Sequence, residues 1–151
     1  MNKNDKMLKE VIDLINRMNS TRPLVECLTN RVTINDCANM LLAMGASPIM
    51  AEIECEMEEI MNISSALVIN LGLLDGTYLS AMKTAAEAAK RLGKPIVLDP
   101  VGAGASKLRD ETCREMIELT KPDIIRGNMS EIRALTGGNI SSKGVDASDD
   151  D

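Results

Sequence analysis

The chain contains no histidine, tryptophan or phenylalanine, and a single tyrosine, Tyr78, among its 151 residues. Without histidine there is no Ser-His-Asp hydrolase, no Cys-His protease and no ordinary zinc hydrolase. Any chemistry must come from carboxylates, thiols, backbone dipoles or a bound cation. The near absence of aromatic surface, the lack of a basic cluster and a formal net charge of −6 argue against a nucleic-acid partner, which requires positive charge and stacking faces. No apolar run approaches the length of a bilayer-spanning helix, so no membrane partner is expected. The opening MNKNDKMLKEVIDLINRMNS mixes charge with apolar residues at helical period and lacks both the apolar centre and the cleavage site of a signal peptide. Cys27, Cys37, Cys55 and Cys113 are scattered, with no Cys-x-x-Cys pair. They argue against a zinc site and predict reduced, buried thiols in a soluble cytoplasmic protein.

What is present is an ordinary globular composition, 44% hydrophobic and 26% charged, at a length typical of one domain or part of one. With so few aromatics the core must be built from Leu, Ile, Val, Ala and the eleven methionines, which pack flexibly and are given a structural role by default. Short β-branched runs alternate with helical-period stretches. PLVECLT precedes TINDCANMLLAMG, in which Thr33 and Asp36 form an expected capping box and Gly45 a helix stop, so strand then helix are the first two elements expected. SPIMA precedes ECEMEEIMNIS, ALVINLGLL precedes GTYLSAMKTAAEAAKRLG, PIVLD precedes SKLRDETCREMIELT, and DIIRG precedes SEIRALTG. Strands separated by helices of that length pair in parallel through right-handed crossovers, giving a three-layer α/β/α sandwich. The closing SSKGVDASDDD is polar and acidic.

In such a sheet, ligands bind beyond the carboxyl ends of the strands. The chemically unusual residues fall there: Thr29 and Asn30, Met50, Asn70 and Gly72, Asp99 to Gly104, and Arg126 to Asn128. Each has two readings. Gly102 and Gly104 suit a tight turn, and neither a Walker motif nor G-x-G-x-x-G is present, since Lys107 stands where the last glycine belongs. Asp99, ending an apolar strand, needs hydrogen bonds or a cation to offset its desolvation. Asn128 and Glu131 fit an Asn-x-x-Glu capping box or a metal site. Arg126, in the apolar strand DIIRG, is expected to be buried and to meet either an anion or a structural carboxylate. Asn30 and Asn35 suit turn and helix-start positions, Met50 suits the core, and Cys27 and Cys37 have no basic neighbour to lower a thiol pKa.

The stretches CLTNRVTINDCANMLLAMGASPIMA, LVINLGLL, VLDPVGAGAS and IIRGNMSEIRALTGG resemble those of the hydroxyethylthiazole kinase family, ribokinase-like enzymes of thiamine salvage, in order and without gaps from Pro23 onward. The resemblance implies transfer of the γ-phosphate of ATP to the hydroxyl of 4-methyl-5-(2-hydroxyethyl)thiazole, with Mg²⁺, on a homotrimer whose sites lie between subunits. By the same resemblance, Asn128 and Glu131 match the N-x-x-E motif serving Mg²⁺ and phosphates. Asp99 matches the acid near metal and transferred phosphate, Arg126 a nucleotide-binding position, Met50 a thiazole-binding position, and Asn30 the border of the thiazole pocket. Phosphoryl transfer asks mainly for positioning and charge neutralisation, which a histidine-free site can supply.

The family pattern continues for roughly another hundred residues, carrying a G-T-G-C stretch with an anion hole for the γ-phosphate and a cysteine. That stretch is absent here, and none of the four cysteines stands in its context. The expectation is that residues 1–151 form the N-terminal part of a single ribokinase-like domain, inactive alone. A non-catalytic small-ligand or regulatory module is the alternative.

Overall fold

The computed structural model describes residues 2–137, so SSKGVDASDDD lies outside the described residues. Five parallel strands, β1 (Leu24–Leu28), β2 (Ser47–Ile49), β3 (Ala66–Asn70), β4 (Ile96–Asp99) and β5 (Ile124–Ile125), are ordered β2-β1-β3-β4-β5. They alternate with helices α1 (Lys3–Thr21), α2 (Ile34–Ala43), α3 (Met57–Ile63, preceded by a 3₁₀ turn at Glu54–Glu56), α4 (Gly76–Arg91), α5 (Lys107–Thr120) and α6 (Met129–Leu135). A helix thus precedes the first strand. The capping box of Asn2 and Asp5 starts it, and Arg22 in the left-handed region ends it.

The β1-to-β2 connection runs in the opposite direction along the sheet from all later ones, so right-handedness sends α2 to one face and α3, α4 and α5 to the other. The latter face holds the main core. Leu67 and Ile69 of β3 and Ile96 and Leu98 of β4 meet Met61, Met82 and Met116, and the close approach of α4 is permitted by Ala81, Ala85, Ala88 and Ala89. Each fully buried Leu, Ile or Met contributes roughly 1.5–3 kcal/mol. The opposite face is thinner. Val25, Cys27 and Ala46 are buried there against half-buried Met18, Leu41, Met50, Ala66 and Val68. No residue of α1 is buried, and Met7, Leu8, Val11, Ile12, Leu14 and Ile15 form an exposed apolar stripe.

Several expectations are corrected. Thr33 stands before α2 but makes no side-chain cap; ahead of the helix the Asn30 side chain closes a turn instead, its Oδ1 accepting from the amides of Val32 and Thr33. β5 is only two residues long, and Ile124 and Ile125 are exposed. Cys27 and Cys113 are buried as expected, but Cys37 is half-buried and Cys55 exposed. The methionines divide between the core (Met57, Met61, Met82, Met116) and the surface (Met7, Met40, Met44, Met129). Gly45, with φ +88°, ends α2 as read from the sequence. No described helix is long and apolar enough to cross a membrane.

Candidate functional site

β1 and β3 are neighbours in the sheet, yet the connections leaving them depart to opposite faces. This is the switch point at which open α/β sheets leave a crevice. Asn30 follows β1 and Asn70 ends β3. Across the crevice Asn30 Nδ2 donates to Asn70 Oδ1 at 3.4 Å. Asn70 pairs in register with Asp99, the last residue of β4, and its Nδ2 donates to Asp99 Oδ2 at 3.3 Å. Arg126, directly after β5, donates from Nη1 to the same Oδ2 at 2.7 Å. A chain of four polar side chains, Asn30–Asn70–Asp99–Arg126, therefore runs along the carboxyl edge of four strands.

Gly72 is required by this chain. A Cβ there would stand 2.8 Å from Asn70 Oδ1 and 3.3 Å from Asn30 Nδ2, while the Gly72 amide donates to Asn70 Oδ1 at 2.9 Å. Asp99 is 9% exposed. Its burial pushes the carboxyl pKa up, opposed by the Arg126 guanidinium and the Asn70 hydrogen bond and reinforced by the negative Glu131. Its Oδ1 makes no hydrogen bond among the described residues. Arg126 is not buried as expected: its side chain is 77% exposed, because β5 is a short edge strand, and only Nη1 is engaged.

Asn128 and Glu131 form the capping box at the start of α6, the Asn128 side chain accepting from the Glu131 amide and Glu131 Oε2 from the Asn128 amide, both at 2.9 Å. Glu131 also reaches outside its own helix. Its Oε1 accepts from the Gly102 amide at 2.8 Å, tying α6 to the loop after β4. The cap reading holds, and the same side chain also braces the neighbouring loop. In that loop Gly102 and Gly104 have φ +78° and +89°, and a Cβ on Gly102 would stand 2.8 Å from Arg109 Cδ, so Gly102 is needed for its conformation and for space. Met50 stands apart from the polar chain, at the end of β2, half-buried against the Val25–Cys27–Ala46 cluster.

A cavity of about 350 Å³ opens on the thinner face of the sheet. Cys27, Cys37, Met40, Leu41, Val68 and Val97 form its apolar wall, and Thr29, Asp36, Asn70, Asp99 and Arg126 supply its polar groups. An apolar wall with a few convergent polar groups is the usual composition of a small-ligand site. A larger concavity, about 770 Å³, lies over the 3₁₀ turn and the start of α4, but its charged lining is Glu52, Glu54 and Glu58, of which Glu58 is paired with Arg91, and this acidic lining disfavours anions. Burial holds the Cys27 thiol up at about 12 and the Cys113 thiol up at about 11. Neither serves as a thiolate near neutral pH, in agreement with the inert reading of Cys27.

Asn70 was legible only as a loop position, although an Asn closing the apolar run LVIN parallels the Asp closing VLD. Arg109 gave no signal. It sits in the polar stretch SKLRDETCR, yet its guanidinium donates to the carbonyls of Leu71 and Val101 from Nη1, at 3.0 and 2.9 Å, and to that of Gly72 from Nη2 at 3.2 Å.

Strand order and edge chemistry define an open parallel α/β protein with a carboxylate, a guanidinium and two carboxamides assembled at its switch point. The chain belongs to the hydroxyethylthiazole kinase family, whose sequence model matches residues 15–151. It is 48% identical over 143 residues to a hydroxyethylthiazole kinase of Ruminiclostridium cellulolyticum, covering 95% of this chain and 52% of that protein. It is 51% identical over 141 residues to one of Aliivibrio salmonicida, covering 93% and 53%. The solved structure of a hydroxyethylthiazole kinase protein from Pyrococcus horikoshii OT3 superposes with a TM-score of 0.82 at 48% identity, over 85% of this chain and 50% of that one. The chain thus spans about half the length of the relatives it matches.

Proposed function

We propose that this chain provides one part of a cytoplasmic hydroxyethylthiazole kinase, which transfers the γ-phosphate of ATP to the hydroxyl of 4-methyl-5-(2-hydroxyethyl)thiazole with Mg²⁺. The observation that carries the reading is the Asn30–Asn70–Asp99–Arg126 chain, which sets a buried carboxylate beside a solvent-facing guanidinium at the polar end of an apolar cavity.

The residues fit the cation. Asp99 offers a hard carboxylate oxygen without a hydrogen bond, in a setting where burial disfavours the bare anion. Mg²⁺ is usually held by one or two carboxylates together with substrate phosphates and water, and Asp99 and Glu131 are the carboxylates this edge offers. When bound, Mg²⁺ would neutralise charge on the phosphates being transferred. Asp99 would hold it directly. Glu131, with one backbone amide on each oxygen, would orient it through water while fixing the loop after β4. Arg126 keeps its Nη2 and Nε donors for nucleotide phosphate, and Asn128 holds the start of α6 beside them. On the acceptor side, Asn30 and Met50 border the thiazole, with Asn30 positioned by its turn to Val32 and Thr33.

In this reading, turnover also requires the portion corresponding to the second half of the relatives, which supplies the γ-phosphate anion hole, and the assembly is a homotrimer. The exposed apolar stripe of α1 supports burial against further protein. The test is a coupled ADP-release assay with Mg²⁺ and the thiazole alcohol, on residues 1–151 with and without that second half supplied. Thiazole-dependent ADP release only in its presence is expected. Turnover by residues 1–151 alone would refute the division of labour, and none in either case would refute the activity.

A further inference from the structure

Arg109 forms no salt bridge within 4 Å among the described residues; its three side-chain hydrogen bonds all go to backbone carbonyls. Two of those carbonyls belong to peptide units whose opposite ends hold the site. The Leu71 carbonyl accepts from Arg109, and the amide of the same peptide unit, that of Gly72, donates to Asn70 Oδ1 at 2.9 Å. The Val101 carbonyl accepts from Arg109, and the amide of its peptide unit, that of Gly102, donates to Glu131 Oε1 at 2.8 Å. In a trans peptide the C=O and N–H point in opposite directions. A cation drawing both carbonyls to one side therefore directs both amides to the other and polarises them.

We propose that Arg109 is the positioning residue of the site. From behind two loops, and without touching the cavity, it sets Asn70 through the Leu71–Gly72 peptide and Glu131 through the Val101–Gly102 peptide. One guanidinium thereby fixes the carboxamide that orients Asp99 and the carboxylate that anchors the start of α6. Lysine cannot replace it, since one ammonium lacks the planar fork that spans three carbonyls on two loops. The proposal rests on the kinase reading for its catalytic consequence, but not for its geometry.

The geometry is tested by ¹⁵N–¹H spectra of the chain. In Arg109→Lys and Arg109→Gln the Gly72 and Gly102 amide protons should both move upfield as their hydrogen bonds to Asn70 and Glu131 weaken; since Arg109 also packs against Gly102 and bonds the Gly72 carbonyl, the common upfield direction, and not a shift alone, is the readout. In the wild type the Arg109 Nη hydrogens should give separate, exchange-protected signals. Unmoved Gly72 and Gly102 amides in a folded variant overturn the proposal. If neither variant folds, the wild-type Nη signals decide, and a single averaged signal overturns it. In the chain extended to the length of its relatives, Arg109→Lys should lower kcat about 10- to 100-fold with the thiazole KM nearly unchanged, and added guanidinium should restore part of the turnover of Arg109→Ala. Full kcat in Arg109→Lys overturns the positioning role. An inactive wild type would instead overturn the kinase reading, leaving the amide shifts to judge Arg109.

Discussion

Replacing Glu26 by glutamine should remove most of a fall in stability that the wild-type chain shows between about pH 4.5 and about pH 8. Glu26 lies in the middle of β1, fully buried, and neither carboxylate oxygen has a hydrogen-bond partner among the described residues. Burial pushes its carboxyl from 4.5 up to about 8; the Ala51 backbone amide, near the carboxyl but outside hydrogen-bonding geometry, pulls weakly the other way, and negative Glu56, in the 3₁₀ turn, adds to the rise. Tyr78 from α4 and the neighbouring Cys27 also feel Glu26; burial raises both of their pKa values, so they stay neutral and add no further negative charge beside it. The sign follows from proton binding. Above pH 4.5 the unfolded chain releases this proton while the folded chain retains it, so stability falls as pH rises until the folded carboxyl ionises near 8, and is flat beyond. At about 1.4 kcal/mol per pH unit across that window, the loss amounts to about 5 kcal/mol. That is a third or more of a typical domain stability of about 5–15 kcal/mol. Glutamine keeps the shape of the protonated acid without its proton. Urea unfolding followed by circular dichroism at about pH 5, 7 and 9 should give a falling wild-type curve. The Glu26→Gln curve should be flatter, the two lying close at the acid end and the variant several kcal/mol more stable at the alkaline end. The raised carboxyl of Asp99 acts in the same direction in both proteins and cancels in the difference. Parallel curves would refute the reasoning, since they would mean that Glu26 is solvated or paired in the folded chain.

Glu131→Gln replaces an acceptor of two backbone amides by a group that can accept on only one side, and should cost about 2–3 kcal/mol in urea unfolding. In the chain extended to the length of its relatives it should also lower turnover strongly while leaving thiazole affinity nearly unchanged; wild-type turnover would return Asn128 and Glu131 to a purely capping role. Met50→Ala should raise the KM for the thiazole more than that for ATP, and equal effects in steady-state kinetics would undo its assignment to the acceptor side. Gly72→Ala should push Asn70 off both Asn30 and Asp99 and lower stability by about 1–3 kcal/mol; an unchanged melting temperature would show that the edge gives way without cost.

The alternation of β-branched runs with helical stretches was enough to read the parallel sheet, because periodicity and punctuation act locally. Asp75 opens α4 with its side chain on the Thr77 amide, and Gly93, with φ +64°, follows its end. The sheet edge was legible for the same reason, since polar residues closing apolar strands stand out in one dimension. Contacts between distant segments were not. The Thr33–Asp36 pair that spacing suggested does not cap α2; the turn leading into the helix is closed by Asn30, itself held by Asn70, forty residues away. Arg126 looked buried because its neighbours are apolar, yet β5 pairs only with β4, over two residues, and leaves the side chain in solvent. Arg109 resembles any charged residue on a polar helix until the loops after β3 and β4 are folded onto it.

A net charge of −6 is compatible with the proposed anionic co-substrate if the site's field is set locally. At physiological ionic strength, charges more than about 8 Å apart across solvent are largely screened, so the acidic outer surface weighs little against groups at the edge itself. There the cations are Arg126 in solvent and Arg109 behind the loops, and Asp99 is the acid whose negative form burial disfavours. Glu131 directs its charge into the Gly102 and Asn128 amides. Both carboxylates are thus held by donors, Asp99 by Arg126 and Asn70, and Glu131 by backbone amides, while Asp99 Oδ1 carries no hydrogen bond among the described residues. A divalent cation bound there would remove the remaining repulsion toward phosphate. Arg126→Ala should accordingly weaken nucleotide binding and also raise the Asp99 pKa further, and the second effect separates loss of a ligand contact from loss of a charge partner.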